Sequence, residues 1–166
     1  MTPPWNQVEK LCPDHDLSEF RCGLDSVEDW FQNKAMNNRS MVGTHVCLTE
    51  ASDIVGFFAL KTIIVSTEGM SSRLRAGSMD GQSTAILLCQ MGIAKPWQDL
   101  GHGKRLLRLA MTEALEAHRR SPVQLFVVDA ENEDLVRFYE KPGLQRIPNS
   151  LRLLAPMKAL EKALSN

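Results

Sequence analysis

The run from Ile86 to Ala94 is almost wholly apolar, and it leads through a connection containing proline and glycine, Lys95 to Gly103, into a helical pattern. Leu107, Ala110, Met111, Ala114 and His118 share one face of that pattern, while Lys104, Arg105, Arg108 and Glu116 lie away from it. A buried strand feeding an amphipathic helix in this way calls for a sheet with helices packed on it. The rest of the chain supplies the other elements. His45 to Glu50 and Ile54 to Val65 flank the turn-like Ala51-Ser52-Asp53 and read as an antiparallel hairpin, and Val123 to Asp129 and Leu151 to Leu154 read as further strands. Helices are expected over Asp25 to Asn38, opened by a capping box of Asp25 and Glu28, and after Asn132, an N-cap stopped by Gly143. A terminal helix is expected over Met157 to Leu164, and Ser66 to Thr84 reads as a long loop with one short helix. The expected class is α/β (α+β), a mixed sheet flanked by helices.

A chain of 166 residues fits one such domain, here 1–166, and 43% apolar with 23% charged residues is a globular balance. No apolar run is long enough for a membrane span, and the start Met1-Thr2-Pro3-Pro4-Trp5 does not read as a signal peptide, so a cytoplasmic protein is expected. Cys12, Cys22, Cys47 and Cys89 form no CxxC pair; they read as reduced structural residues, and no metal site is expected. A net charge of -1 argues against indiscriminate nucleic-acid binding, but the middle of the chain is locally basic, with Arg73, Arg75, Lys95, Lys104, Arg105 and Arg108.

Gln98-Asp99-Leu100-Gly101-His102-Gly103 stands where backbone N–H groups at the start of a helix converge on an anion. Glycines at 101 and 103 permit φ > 0 and close approach of a diphosphate, and Lys104 adds charge. Standing alone, the segment is equally a plain glycine turn before a helix. His102 reads as a backbone donor position, not a catalyst.

The pattern Gln-x-x-Gly-x-Gly after a buried strand, with Phe138-Tyr139 on the helix after the next strand, resembles the GNAT superfamily of N-acetyltransferases. The resemblance implies a mostly antiparallel central sheet and acetyl-CoA as co-substrate. Met91, Gly92 and Ile93 would hold the pantetheine arm, and Gln98, Asp99, Leu100, Gly101, His102, Gly103 and Lys104 the pyrophosphate, with Asn132 also on the cofactor. Tyr139 would protonate the departing CoA sulfur; taken by itself it reads rather as a core aromatic. No general base stands out, since His15, His45 and His118 lack motif context. An α-amino group of pKa about 8 has less need of one than a lysine.

The opening Phe20-Arg21-Cys22-Gly23 with Leu24, Asp25 and Asp29-Trp30-Phe31, the strand Gly56-Phe57-Phe58-Ala59-Leu60, and Phe138-Tyr139-Glu140-Lys141-Pro142-Gly143 are similar to the GNAT toxins of bacterial toxin–antitoxin modules. Leu144 stands where such toxins more commonly have phenylalanine. This resemblance implies acetylation of the α-amino group of aminoacyl-tRNA, a block of translation, a ribbon-helix-helix antitoxin and a homodimer. Arg73, Arg75 and Lys95 are the candidate tRNA contacts, although Arg73 and Arg75 also suit solvated loop positions. A GNAT enzyme acting on a small amine or a protein N-terminus, and a non-catalytic acetyl-CoA-binding module, remain open at this point.

Overall fold

The long β-branched runs pair as the hairpin reading requires, and the amphipathic segments close over them. The computed structural model describes residues 2–75 and 77–165. In chain order the elements are β1 (Gln7–Lys10), α1 (Asp25–Asn33), β2 (Gly43–Leu48), β3 (Ile54–Ser66), α2 (Ser72–Arg75), β4 (Gln82–Ile93), α3 (His102–Arg120), β5 (Leu125–Asp129), α4 (Glu133–Glu140), β6 (Gln145–Arg146), β7 (Arg152–Pro156) and α5 (Met157–Leu164). The strands form a seven-stranded sheet in the order β1-β2-β3-β4-β5-β7-β6. The β1–β2, β2–β3, β5–β7 and β6–β7 pairs are antiparallel, and β4–β5 is parallel. The mixed, mostly antiparallel sheet with flanking helices is therefore present.

Contacts divide the chain into two compact units, the first made of residues up to Lys61 with Gln90–Ala110, the second of Thr62–Cys89 with residues from Met111 onward. In the first unit α1 turns Val27 and Phe31 inward. Phe31 stacks on Phe57 at a ring-centroid distance of 4.0 Å, and Phe20 meets the same ring edge-on at 5.4 Å. Burying a phenylalanine side chain contributes about 1.5–3 kcal/mol, so these rings anchor α1 to the sheet. Gly56 keeps this packing close: a Cβ there would lie 2.9 Å from the Gly92 carbonyl oxygen and 2.9 Å from Ile93 Cδ1. Gly56→Val is expected to lower the unfolding free energy by about 1–3 kcal/mol through overpacking, read from urea denaturation; an unchanged midpoint would show that the neighbouring strand yields freely.

In the second unit β5 is buried along Leu125, Phe126, Val127 and Val128, which pair with Ala85–Leu88 of β4 on one side and with β7 on the other. β4 continues beyond the last of its β5 pairs as far as Ile93. Asn132 caps α4 through its side chain, which accepts from Leu135 N at 3.0 Å, as expected.

Three local readings need correction. Leu24, not Asp25, is the N-cap of α1 and makes no side-chain cap bond; the Glu28 carboxylate instead reaches past it to the Cys22 and Gly23 N–H groups. The helix expected to Asn38 ends at Asn33, where Lys34 N and Ala35 N both donate to Trp30 O, and continues only as a 3-10 turn over Met36–Asn38. β1 and β6 went unseen because β1 is a polar edge strand exposed at every position and β6 has two residues.

Candidate active site

In the first unit, the exit from β4 is held by backbone and side-chain bonds to the N-terminal segment. Ala94 N donates to Val55 O and Lys95 N to Arg21 O, both at 2.8 Å. The two protons of Gln98 Nε2 go to Cys22 O at 2.6 Å and Ile93 O at 2.7 Å. One amide thus ties the end of the strand to the segment before α1. That segment is fixed in turn by Glu28, which accepts from Cys22 N at 3.0 Å and from Gly23 N at 2.7 Å. The Gly23 N–H, ahead of the opposing effect of burial, holds the Glu28 carboxyl below the usual glutamate range. Gly23 itself has φ +93°, a conformation costly for any residue with a Cβ. The Phe20 to Gly23 motif is therefore the brace of the loop after β4. Gln98→Glu places a carboxylate against two carbonyl oxygens, and it is expected to cost about 1–3 kcal/mol of stability by denaturant titration. A variant as stable as the parent would mean that Gln98 does not hold the brace.

Beyond Gln98 the chain passes through Asp99 at φ +63° and Gly101 at φ +82°, then enters α3 at His102. The sequence reading gave both glycines the freedom of φ > 0; only Gly101 uses it, Asp99 takes the other left-handed position, and Gly103 lies inside the first turn of the helix. Asp99, Leu100, Gly101 and Lys104 are exposed. As the first residues of an α-helix, His102, Gly103 and Lys104 have N–H groups with no carbonyl a turn earlier to bond, at the positive end of a helix dipole. The His102 ring is buried, edge-on to Trp5 at 5.9 Å, and its Nδ1 accepts from Arg105 at 2.9 Å. Burial, and then the Arg105 charge, lower its pKa, which keeps the imidazole neutral. Met91, Gly92 and Ile93 are half-buried at the end of β4, with Gly92 against Phe57 and Val27.

Asn132, Tyr139, Arg73 and Arg75 belong to the second unit, Lys95 to the first. The Asn132 side chain is engaged as the cap of α4. Tyr139 is buried on α4, its ring edge-on to Phe138 at 5.2 Å. Burial, reinforced by the negative charge of Glu131, pushes its phenol well above the ordinary tyrosine range, so the hydroxyl keeps its proton through neutral and moderately alkaline pH. Arg73 and Arg75 lie on α2, and both they and Lys95 are exposed. Leu144, in the position commonly aromatic, is buried. Cys47 is buried in β2, where desolvation pushes its thiol up to about 12 and makes it inert. Among the described residues no His, Cys, Asp and Glu side chains gather into a metal-holding group, and no helix is long and apolar enough to cross a membrane.

The sequence profile of the acetyltransferase (GNAT) family matches residues 8–144. The chain belongs to this family. This GNAT acetyltransferase is 27% identical over 146 residues to a tRNA-acetylating toxin of Mycobacterium tuberculosis (strain ATCC 25618 / H37Rv), an alignment covering 86% of this chain and 87% of the relative. Its fold superposes on AtaT complexed with acetyl-methionyl-tRNAfMet with a TM-score of 0.83 at 19% identity, covering 94% of this chain and 97% of that one. A tyrosine-to-phenylalanine mutant of the AtaT toxin, bound to the C-terminus of the antitoxin AtaR and acetyl-CoA, matches with a TM-score of 0.79 at 18% identity, covering 96% and 98%. At such identities the two structures speak for the fold. The GNAT profile spans both units and includes every candidate residue named above.

Two roles at the loop were not read from sequence. Asp99, named as a pyrophosphate residue, gave no signal of the left-handed conformation it adopts, and Glu28 was credited to a capping box although its partners lie before the helix.

Proposed function

We propose that this GNAT acetyltransferase moves the acetyl group of acetyl-CoA to the α-amino group of an amino acid esterified to tRNA, and so withdraws that tRNA from translation. The observation that carries this reading is its likeness, over most of both chains, to the tRNA-acetylating toxin. The AtaT structures with acetylated methionyl-tRNA and with antitoxin and acetyl-CoA are consistent with it. Residues 1–166 act as one acetyltransferase domain, in the cytoplasm and as a homodimer, and a ribbon-helix-helix antitoxin neutralises it.

In this reading the main chain of Met91, Gly92 and Ile93 pairs with the pantetheine arm. Asp99 to Lys104 bind the pyrophosphate, with Gly101 supplying the turn, the His102, Gly103 and Lys104 N–H groups the donors, and Gln98 the brace. Asn132 contributes by fixing the start of α4. The neutral α-amino nitrogen attacks the thioester carbonyl carbon, the C–S bond breaks, and the nitrogen sheds a proton as sulfur gains one. Tyr139, held in its protonated form by burial, donates its phenolic proton to sulfur, and the proton shed by nitrogen passes through water to restore the phenol, giving the acetylamide and free CoA thiol. Arg73, Arg75 and Lys95 meet tRNA phosphates.

Gly103 lies in the first turn of α3, a backbone that valine can adopt, so Gly103→Val sets a branched side chain among the N–H donors without asking for a forbidden conformation. Calorimetry is expected to find acetyl-CoA binding strongly weakened in a folded protein; unchanged affinity would remove the pyrophosphate from this loop. The substrate reading is tested by induced expression in bacteria. Growth arrest with N-acetylated aminoacyl-tRNA in the arrested cells is expected, and arrest with unmodified aminoacyl-tRNA would refute it.

A further inference from the structure

We propose that a cleft in the second unit, walled by α5 and opening beside α2, holds the phosphodiester backbone of the tRNA, with Lys158 and Lys162 as new phosphate contacts beside Arg73. This rests on the tRNA reading above. The cleft has a volume of about 800 Å³; Arg73, His118, Lys158 and Lys162 line it together with a largely apolar remainder that includes Leu74, Val123, Leu125 and Met157, and no acidic residue lines it. Arg73, Lys158 and Lys162 have no ion-pair partner among the described residues. The acid nearest to the two lysines along α5, Glu161, pairs instead with Arg119 at 3.7 Å.

Cations gathered around one cleft repel each other until an anion enters it, so the arrangement favours a polyanion. Lys158 and Lys162 stand one helical turn apart on α5, with Cβ atoms about 5–6 Å from each other, which lets their ammoniums meet neighbouring phosphates of one strand. His118 Nδ1 accepts from Val123 N at 3.1 Å, so in the neutral ring Nε2 carries the proton and is a donor only. A peptide partner would be read through main-chain bonds at a strand edge or by apolar anchors in a groove. The α5 wall is a helix and not a strand edge, and alongside Met157, Ala159 and Ala163 the charged side chains it turns to the cleft are both cations, which is how a phosphate backbone is held.

The test measures affinity of the full chain for fluorescently labelled, deacylated tRNA across a potassium chloride series. Lys158→Gln with Lys162→Gln is expected to flatten the slope of log affinity against log salt by about 2, and each single change by about 1, so the answer survives if the double variant does not fold. Lys10→Gln, on the exposed β1 strand, is the control and is expected to leave the slope alone. Acetyl-CoA affinity should be the same in all of them. Slopes equal to the parent's would overturn the proposal. So would variants that keep the tRNA slope but lose binding of a glutamate-rich peptide, which would assign the cleft to an acidic protein segment. A parent that binds tRNA with the expected slope changes in its variants, yet acetylates none, would sink the substrate reading and leave the cleft standing; an active enzyme with unaltered slopes in the variants does the reverse.

Discussion

Tyr139→Phe is expected to lower kcat by about 10²- to 10⁴-fold while acetyl-CoA affinity stays at the parent value. The change removes the phenolic proton and keeps the ring that packs beside Phe138 on α4, and general acid catalysis typically contributes a factor of that size. Stopped-flow turnover set beside calorimetric binding separates the two quantities. A variant with the parental kcat would mean that another group or water protonates the thiolate. The pH dependence follows from the same burial. Because the Tyr139 pKa is raised, its acid form persists as pH climbs, so Tyr139 causes no fall in kcat at moderately alkaline pH. The rate should instead rise with pH through about 8 as the attacking α-amino group loses its proton.

The second large effect concerns the nucleic acid. An aminoacyl-tRNA should react far faster than the same free amino acid, and its KM should climb steeply between low and moderate salt, because each phosphate contact releases counterions. Arg75→Ala should raise the tRNA KM and leave acetyl-CoA affinity alone, since Arg75 is exposed on α2 and lies outside the loop from Gln98 to Lys104. A KM insensitive both to salt and to Arg75 would point to a small amine or a protein N-terminus as the acceptor.

What could be read from sequence depended on whether a residue's role was local. α5 was legible over Met157–Leu164 and the Asn132 cap was legible too, because both depend on spacing within one helix. The strand–loop–α3 unit was legible for the same reason, down to Leu107, Ala110, Met111 and Ala114 facing inward. β1 carries no alternation of apolar residues, since an exposed edge strand gains its pairing from β2 and not from burial. Gln98 shows the limit more sharply. Its place at the head of the glycine loop was plain, but its side chain is spent on Cys22 O and Ile93 O, and the contact with Cys22 joins residues far apart in sequence. Glu28 was misassigned on the same grounds, as a correct spacing for a cap whose real partners are Cys22 N and Gly23 N. The basic cleft escaped notice altogether, because Lys158 and Lys162 are ordinary in a solvated helix until Arg73 and His118 are brought beside them.

The proposed acceptor is the α-amino group of an amino acid while it is esterified to tRNA. Radiolabelled acetyl-CoA, purified protein and either charged or deacylated tRNA test it most directly. The expected result is label that precipitates with charged tRNA only and is released as an N-acetylamino acid when the ester is hydrolysed. Label that is equal on deacylated tRNA, or absent from charged tRNA while a polyamine or a peptide N-terminus becomes labelled, would contradict it.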